Sequence, residues 1–318
     1  MFNEEQKVKF AKEFTDKITV RDNIRRIFDA IEPFEEKWRA DICTRNAEEL
    51  QPAFDAVAGL RNGSRKVPMQ ILQAYANWCI SHGIPDACDG IMHVDSIGAE
   101  KIARHMVSTP HQLQLCLDQV CDPESMKTTD NTVRVFLWLA FSGMKEEDTP
   151  RITPKNVDFK CAVVRLDGEE YPIYREAFQS FYNCAELKQF VYIHPNYNAN
   201  ETHYRERVEG DQLLRGFRSM PQLHTMQVEL SRRVRRAADE GKVDTLISYS
   251  RVWLSGIFYR MWEREQAGMP VDFSEQARRY AEGKTYKLSS GRNLREAKIR
   301  AIAKDFEADY LRWKQIFK

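Results

Sequence analysis

The chain has 318 residues, of which 42% are hydrophobic, 30% charged and 11% aromatic, and its formal net charge is +1. That length suits two domains better than one. The composition carries enough apolar material for packed cores and excludes a disordered chain. No run approaches the roughly 20 apolar residues of a membrane span. The opening MFNEEQKVKFAKEF lacks the apolar stretch of a secretory signal, so the chain reads as soluble, unexported and cytoplasmic.

The seven cysteines, Cys43, Cys79, Cys88, Cys116, Cys121, Cys161 and Cys184, are odd in number and form no CxxC pair. That pattern argues against a disulfide framework or a zinc ribbon and for reduced, mostly buried thiols. The histidines are equally scattered, so neither a structural metal nor a cofactor is expected. The small net charge hides an uneven distribution. The first 60 or so residues are acidic or balanced, whereas 203–242 and 284–300 are dense in arginine and lysine. Such local basic stripes suit a polyanionic partner.

In chain order, amphipathic helices are predicted at 4–18 and 22–38. In the second, Ile24, Ile27, Phe28, Ile31, Phe34 and Trp38 recur at three- and four-residue steps, and Pro33 is expected to kink or divide it. A helix at 46–60 has Asn46 as its expected cap and ends at the turn Arg61-Asn62-Gly63-Ser64. The next, at 67–82, carries Tyr75 and Trp78 at core spacing and stops at Gly83-Ile84-Pro85-Asp86. Two more helices fit 109–122 and 128–142, after an interruption at Ser108, Thr109 and Pro110. The period then changes. The segment Val157–Leu166 is β-branched and alternating, Asp167-Gly168 is a two-residue hairpin turn, and Glu170–Tyr174 returns, with Pro172 marking an edge. Further helices are predicted at 175–189, 210–217, 225–240, 247–267, 274–282 and 293–316.

The basic residues form three groups. Arg205, Arg207, Arg215 and Arg218 lead into Arg232, Arg235 and Arg236, the last three of which can share one helix face. Arg61, Arg65 and Lys66 stand where a turn enters a helix, a position that favours phosphate. Lys284 and Lys287, with Arg292, Arg295 and Lys298, make the third. Each group reads either as a phosphate-contacting face or as an ordinary solvated surface; Arg232, Arg235 and Arg236 have Glu229, Asp239 and Glu240 nearby.

From residue 132 onward a family resemblance builds. Thr132–Lys145 is similar to the apolar helix ending in Thr-Gly-Leu-Arg that opens the catalytic domain of phage integrases, the tyrosine recombinases. Glu146–Ile152 stands for the family's short helix, Thr153–Phe159 for its W-x-D-I-D entry into a hairpin, and Tyr174-Arg175-Glu176-Ala177 for its V-P-L-x-x-E exit. Leu254–Tyr259 up to Gly268 resembles L-R-H-T-F-A…E-A-G. TRNAEELQPAF (44–54) and QILQAYANWCISHGI (70–84) resemble the family's core-binding domain. The resemblance runs in order over most of the chain, though no single motif in it is specific.

What the resemblance implies is a mainly α (α+β) protein. A helical, SAM-like core-binding domain would occupy 1–108 and a tyrosine-recombinase-like domain with a small antiparallel sheet 109–318, the two clamping double-stranded DNA. The catalytic set is largely replaced. Lys145 takes the first arginine position, and Ser255 the second, with Val252 and Gly256 in place of neighbouring catalytic groups. A shifted register would instead bring Arg251 into the second arginine's place. No lysine lies in the hairpin turn, and Tyr286 is the best nucleophile candidate. Losing one transition-state donor alone costs roughly 10²–10³ in rate, so DNA binding without strand cleavage is expected. The setting implied is recombination, integration or its regulation in a mobile element or prophage. The alternatives are an active recombinase using Tyr286 with Lys145 and Arg251, and a helical interaction protein that does not bind DNA. The amphipathic 293–316 helix either packs on its own domain or mediates self-association.

Overall fold

The structure, a computed structural model, describes residues 2–59, 62–95, 98–121, 128–187, 189–193, 202–206, 211–215, 223–281 and 294–318; at 62–64, 189–193, 202–206 and 294–295 it describes the backbone alone. In chain order it forms α1 (Glu4–Phe14), α2 (Ile18–Trp38), α3 (Ala47–Val57), α4 (Asn62–Ser81), α5 (Ala99–His105), α6 (Pro110–Val120) and α7 (Thr128–Phe141). Three short strands follow, β1 (Val157–Asp158), β2 (Val163–Leu166) and β3 (Glu169–Pro172), then α8 (Phe178–Ala185) and the pair β4 (Gln189–Ile193) and β5 (Thr202–Glu206). The chain continues with α9 (Leu223–Asp239), α10 (Tyr249–Gln266), α11 (Phe273–Ala281) and α12 (Leu294–Phe317). The protein is therefore mostly helical with a small three-stranded antiparallel sheet.

The chain packs as two compact units. One joins Met1–Ile102 to Asp272–Ile316 and Lys318, and the other comprises Ala103–Val271 and Phe317. The sequence division has one cut at residue 108; in the structure the C-terminal helices belong with the N-terminal ones.

In the first unit, Phe10, Phe28 and Tyr75 form an aromatic centre, with ring centroids 5.2 Å apart for Phe10–Tyr75 and 4.9 Å for Phe28–Tyr75. Around it pack Ile24, Ile31, Leu50, Phe54, Ile71 and Leu72. Of the two outcomes expected at Pro33, division does not occur, since α2 runs through it. Ile24, Ile27, Phe28, Ile31 and Glu35 are buried on both sides of it, and that shared face holds one helix together. Lys7 and Glu35 form a fully buried ion pair, and Glu35 Oε1 also accepts from the Ile42 amide at 3.0 Å. Asn46 caps α3 as expected, in a reciprocal capping box with Glu49. The turn predicted at 61–64 is instead helical from Asn62, so α4 starts five residues early. It ends as predicted, on Gly83 at φ +64, with the Ile84 amide bonded to the Cys79 carbonyl and the Gly83 amide to that of Ile80. α12 completes this unit. Ile299, Ile302, Phe306, Tyr310 and Trp313 are buried, Phe306 beside Tyr280 and Tyr310 beside Phe273, so the apolar face of α12 is covered within its own chain.

In the second unit α7 is the axis. Val133 and Val135 through Phe141 are at most 1% exposed, so the helix is apolar all round and enclosed. α10 packs against it so closely that a Cβ at Gly256 would lie 1.9 Å from the Phe141 carbonyl oxygen. Thr109 caps α6, its Oγ1 accepting from the Gln112 amide at 3.1 Å, with Pro110 in the first turn. The sheet is a meander in the order β1-β2-β3. Asp167 (φ +51) and Gly168 (φ +84) form the predicted turn, and Pro172 lies in an edge strand. The run Val157–Leu166 is not one strand, however. Asp158 Oδ1 accepts from the amides of Lys160 and Cys161, both at 3.0 Å, and this Asx turn folds β1 back on β2.

Two further expectations fail in the second unit. Residues 211–215 are not helical. Leu213 and Leu214 are buried, and the Leu213 amide is bonded to the Ile152 carbonyl at 2.7 Å. The helix predicted at 175–189 is shortened to α8 because Gln189 begins β4, whose pairing with β5 the sequence reading did not anticipate. All seven cysteines are free thiols, five of them buried. Among the described residues no helix is long and apolar enough to cross a membrane.

Candidate nucleic-acid interface

The segment after α7 is where the resemblance implies catalytic groups. Gly143, at φ +96, turns the chain out of the helix, and side chains of α10 take up the carbonyls there. Tyr249 hydroxyl donates to Met144 O at 2.9 Å, Trp253 Nε1 to Gly143 O at 3.1 Å, and Arg260 to Phe141 O. Lys145 follows, half-buried, and its carbonyl opens a 3₁₀ turn over Glu146–Arg151. Three carboxylates come directly after it, Glu146, Glu147 and Asp148. Burial raises the pKa of Glu146, and a hydrogen bond with Gln227 opposes the rise. Burial first, and then those three carboxylates, hold the Tyr249 hydroxyl well above the ordinary phenol range, so it stays protonated.

Ser255, which the resemblance sets at the second arginine position, is fully buried. Its Oγ donates to Arg251 O at 2.8 Å and accepts from the Val107 amide at 3.1 Å. Both its hydrogen-bonding roles are therefore used inside the fold. Gly256 next to it has no room for any side chain. Arg251 is half-buried; its Nη1 donates to Leu246 O at 2.7 Å, and burial lowers its pKa. In the hairpin, Arg165 is held by Asp158 at 2.6 Å and Glu170 at 2.8 Å. Burial raises the pKa of the Tyr174 phenol, and the charge of Arg260 beside it opposes that rise. Among the described residues no cluster of three His, Cys, Asp or Glu is placed to hold a metal ion.

The basic groups fare differently from one another. Arg65 is 4% exposed and lies 2.7 Å from the equally buried Asp309, which corrects its reading as a phosphate contact, because a guanidinium committed to an interior pair has no face for solvent. Lys66 is 56% exposed, 3.0 Å from Asp305. Arg215 is half-buried, with Nε donating to Gln212 O at 2.5 Å.

On α9, Met226, Leu230, Val234 and Ala237 are buried, which turns Arg232, Arg235 and Arg236 outward. Arg232 is bonded to Glu229 at 2.8 Å. Arg233 lies inward and also binds Glu229, at 2.7 Å, together with Asp130. Burial works to raise the pKa of Glu229, but Arg233 and Arg232 outweigh it and the net shift is downward. Arg235 and Arg236 are exposed, and neither makes a hydrogen bond or ion pair among the described residues. Arg61, Arg207, Arg218, Lys284, Tyr286 and Lys287 lie outside the described residues, as does the side chain of Arg205, whose backbone is in β5. Arg300 and Lys304, outside the three basic groups, are exposed on α12 together with Glu296 and Glu307.

A comparison with the curated proteins finds no match. Residues 1–81, which span α1 to α4, match the protein family described as MrpR, N-terminal core-binding domain, a domain of the phage-integrase (tyrosine recombinase) type.

Proposed function

We propose that this protein binds double-stranded DNA through phosphate contacts, without cutting it, in a regulatory or accessory role in site-specific recombination or integration. The match of residues 1–81 to an integrase-type core-binding domain carries this reading. The outward Arg235 and Arg236 of α9, which make no hydrogen bond or ion pair among the described residues, support it, because a helix face of exposed guanidinium groups neutralises phosphates and releases counterions. The absence of cleavage is supported by Ser255, which is bonded at both ends within the fold, and by Gly256, which has no space for a catalytic side chain. Three carboxylates beside Lys145 also make that corner a poor host for a phosphorane-like charge.

A native and a denaturing gel run in parallel on the full chain with a 30-base-pair duplex test the proposal. A shifted band in the native gel with no band surviving denaturation is the expected pair. A denaturation-resistant adduct that disappears in Tyr286→Phe overturns the non-cleaving part and favours an active recombinase.

A further inference from the structure

Five of the seven thiols are hydrogen-bonded to an oxygen or nitrogen group, as Cys88 is to the Arg45 carbonyl at 3.3 Å. The other two, Cys43 and Cys79, are hydrogen-bonded to each other. Cys43 sits in the 3₁₀ turn Ile42–Thr44 between α2 and α3, and Cys79 in the last turn of α4. Both are at most 3% exposed.

Buried thiols are inert unless an oxidant reaches them, and here the cover is one helical turn. Gln6 Nε2, at the start of α1, donates to Cys79 Sγ at 3.5 Å and to the Tyr75 hydroxyl at 2.7 Å. Asn3 Nδ2 donates to Asp41 Oδ2 at 3.1 Å. Asn3 is exposed and Gln6 half-buried. Asn3 stands at φ +47 in the N-cap place without a side-chain cap bond. An uncapped helix start opens at low free-energy cost, whereas buried Lys7 and Phe10 anchor the rest of α1. Opening that turn removes Gln6 from Cys79 and leaves the aromatic centre in place.

The two sulfurs are not equivalent. Asp41 Oδ1 accepts from the Cys43 amide at 3.0 Å, and Oδ2 from the Tyr75 hydroxyl at 3.0 Å, so a carboxylate lies beside Cys43. The hydrogen bond from Cys43 holds the Cys79 thiol below its ordinary range, although burial works to raise it. The same bond, then burial and the charge of Asp41, push Cys43 up. Because the thiolate is the nucleophile, Cys79 is the attacking sulfur and Cys43 the one that keeps its proton.

We infer that Cys79 and Cys43 are an oxidative modification site, a nucleophile and its resolving thiol, which a hydroperoxide converts to a disulfide. The Cys79 sulfur attacks one oxygen of hydrogen peroxide, the O–O bond breaks, and a sulfenic acid and one water result. The Cys43 sulfur then attacks the Cys79 sulfur. The S–S bond forms as the S–O bond breaks, and the oxygen leaves with the Cys43 proton as a second water. The two thiols give up two electrons and the peroxide is reduced to two waters. Sulfurs already in contact close to a bond of about 2 Å, which ties α4 to the turn that leads into α3, within residues 1–81. The inference does not depend on the DNA-binding reading.

The experiment treats the reduced full chain with hydrogen peroxide, raised until the exposed Cys161 is oxidised. The remaining thiols are alkylated in denaturant, and the chain is digested with trypsin and with cleavage before Asp86, which separates Cys79 from Cys88. Mass spectrometry is expected to find a Cys43–Cys79 linked peptide that dithiothreitol removes. In Cys43→Ser, Cys79 should accumulate as a sulfenic acid trapped by dimedone, whereas Cys79→Ser should leave Cys43 alkylatable. Melting curves check that each variant folds, and the linked peptide in the unaltered chain decides the matter if one does not. Full alkylation of Cys43 and Cys79 after Cys161 has oxidised overturns the inference, as does a Cys43–Cys88 link in place of the expected one.

Discussion

Replacing Gly256 with alanine tests whether the pocket expected to be catalytic has been closed by packing. In a helix interior alanine is preferred over glycine by about 1 kcal/mol, so propensity alone predicts a more stable protein. The structure predicts the opposite sign. The new Cβ would sit 1.9 Å from the Phe141 carbonyl oxygen and 2.7 Å from its Cα. Those are backbone atoms of a helix buried on all sides, with no flexible side chain to swing away. α10 would have to retreat from α7 by roughly an ångström, and because the clash is with backbone the cost belongs in the upper part of the usual overpacking range, about 2–3 kcal/mol. After the propensity gain, a net loss of about 1–2 kcal/mol is expected, or a fall in melting temperature of roughly 2–8 °C for a unit of this size. Thermal unfolding followed by circular dichroism reads the change. A variant that melts at or above the parent's temperature would refute the close-approach argument, and with it the reason for the absence of a larger side chain at this position.

The buried pair of Arg65 and Asp309 makes a second prediction. Asp309→Asn removes the carboxylate 2.7 Å from a guanidinium with 4% exposure, leaving it the more distant charge of Asp55, which should cost up to about 3–5 kcal/mol in urea unfolding. The double variant Arg65→Met, Asp309→Leu should recover most of that loss, and equal losses in both variants would show that the ion pair is not the cause. A third concerns pH. The folded-state pKa of Glu229 lies below its ordinary 4.5 despite burial, because Arg233 and Arg232 hold the carboxylate. Its contribution is therefore present above pH 4.5 and is lost as the pH falls through the lowered value. Glu229→Gln should flatten the acid limb of the stability profile, and an identical limb in both proteins would contradict the pairing. A fourth is that Arg235→Gln with Arg236→Gln makes the salt slope of DNA binding shallower by about two, a change that an unchanged slope would exclude.

Local patterns made much of this fold legible. The three- and four-residue steps of Ile24, Ile27, Phe28 and Ile31, the apolar run through Phe141, the Asn46 cap and the Asp167-Gly168 turn are each settled within a few residues, and each is found in the structure. Where the reading failed, a competing local group or a distant partner decided. Asp158 offered the backbone an Asx turn inside an otherwise strand-like run. Asn62-Gly63-Ser64 reads as a turn by composition, yet it is the first turn of a helix tied at Arg65 to a residue 244 positions away. Leu213 and Leu214 are buried without being helical, fixed by a backbone bond to Ile152. Phe190-Val191-Tyr192-Ile193 is strand-forming by composition, yet the sequence reading assigns it no element, because its partner strand is separated from it by a polar stretch.

The candidate site was legible in outline only. The resemblance to the integrases sets Ser255, Gly256 and Lys145 where the family's pattern has other residues. It could not show that the serine bridges Arg251 and Val107, or that the glycine is required by contact with α7. Nor does spacing distinguish Arg65, which is buried, from Arg235 and Arg236, which are not. All three are arginines on amphipathic helices, and burial separates them.

The central claim, that this chain binds duplex DNA through its phosphates, is tested most directly by anisotropy of the unaltered protein on a labelled 30-base-pair duplex from 50 to 200 mM salt. The account predicts micromolar or tighter binding at the low end, weakening steeply and linearly in log–log form as salt rises. No binding at about 50 mM, or binding indifferent to salt, would contradict it.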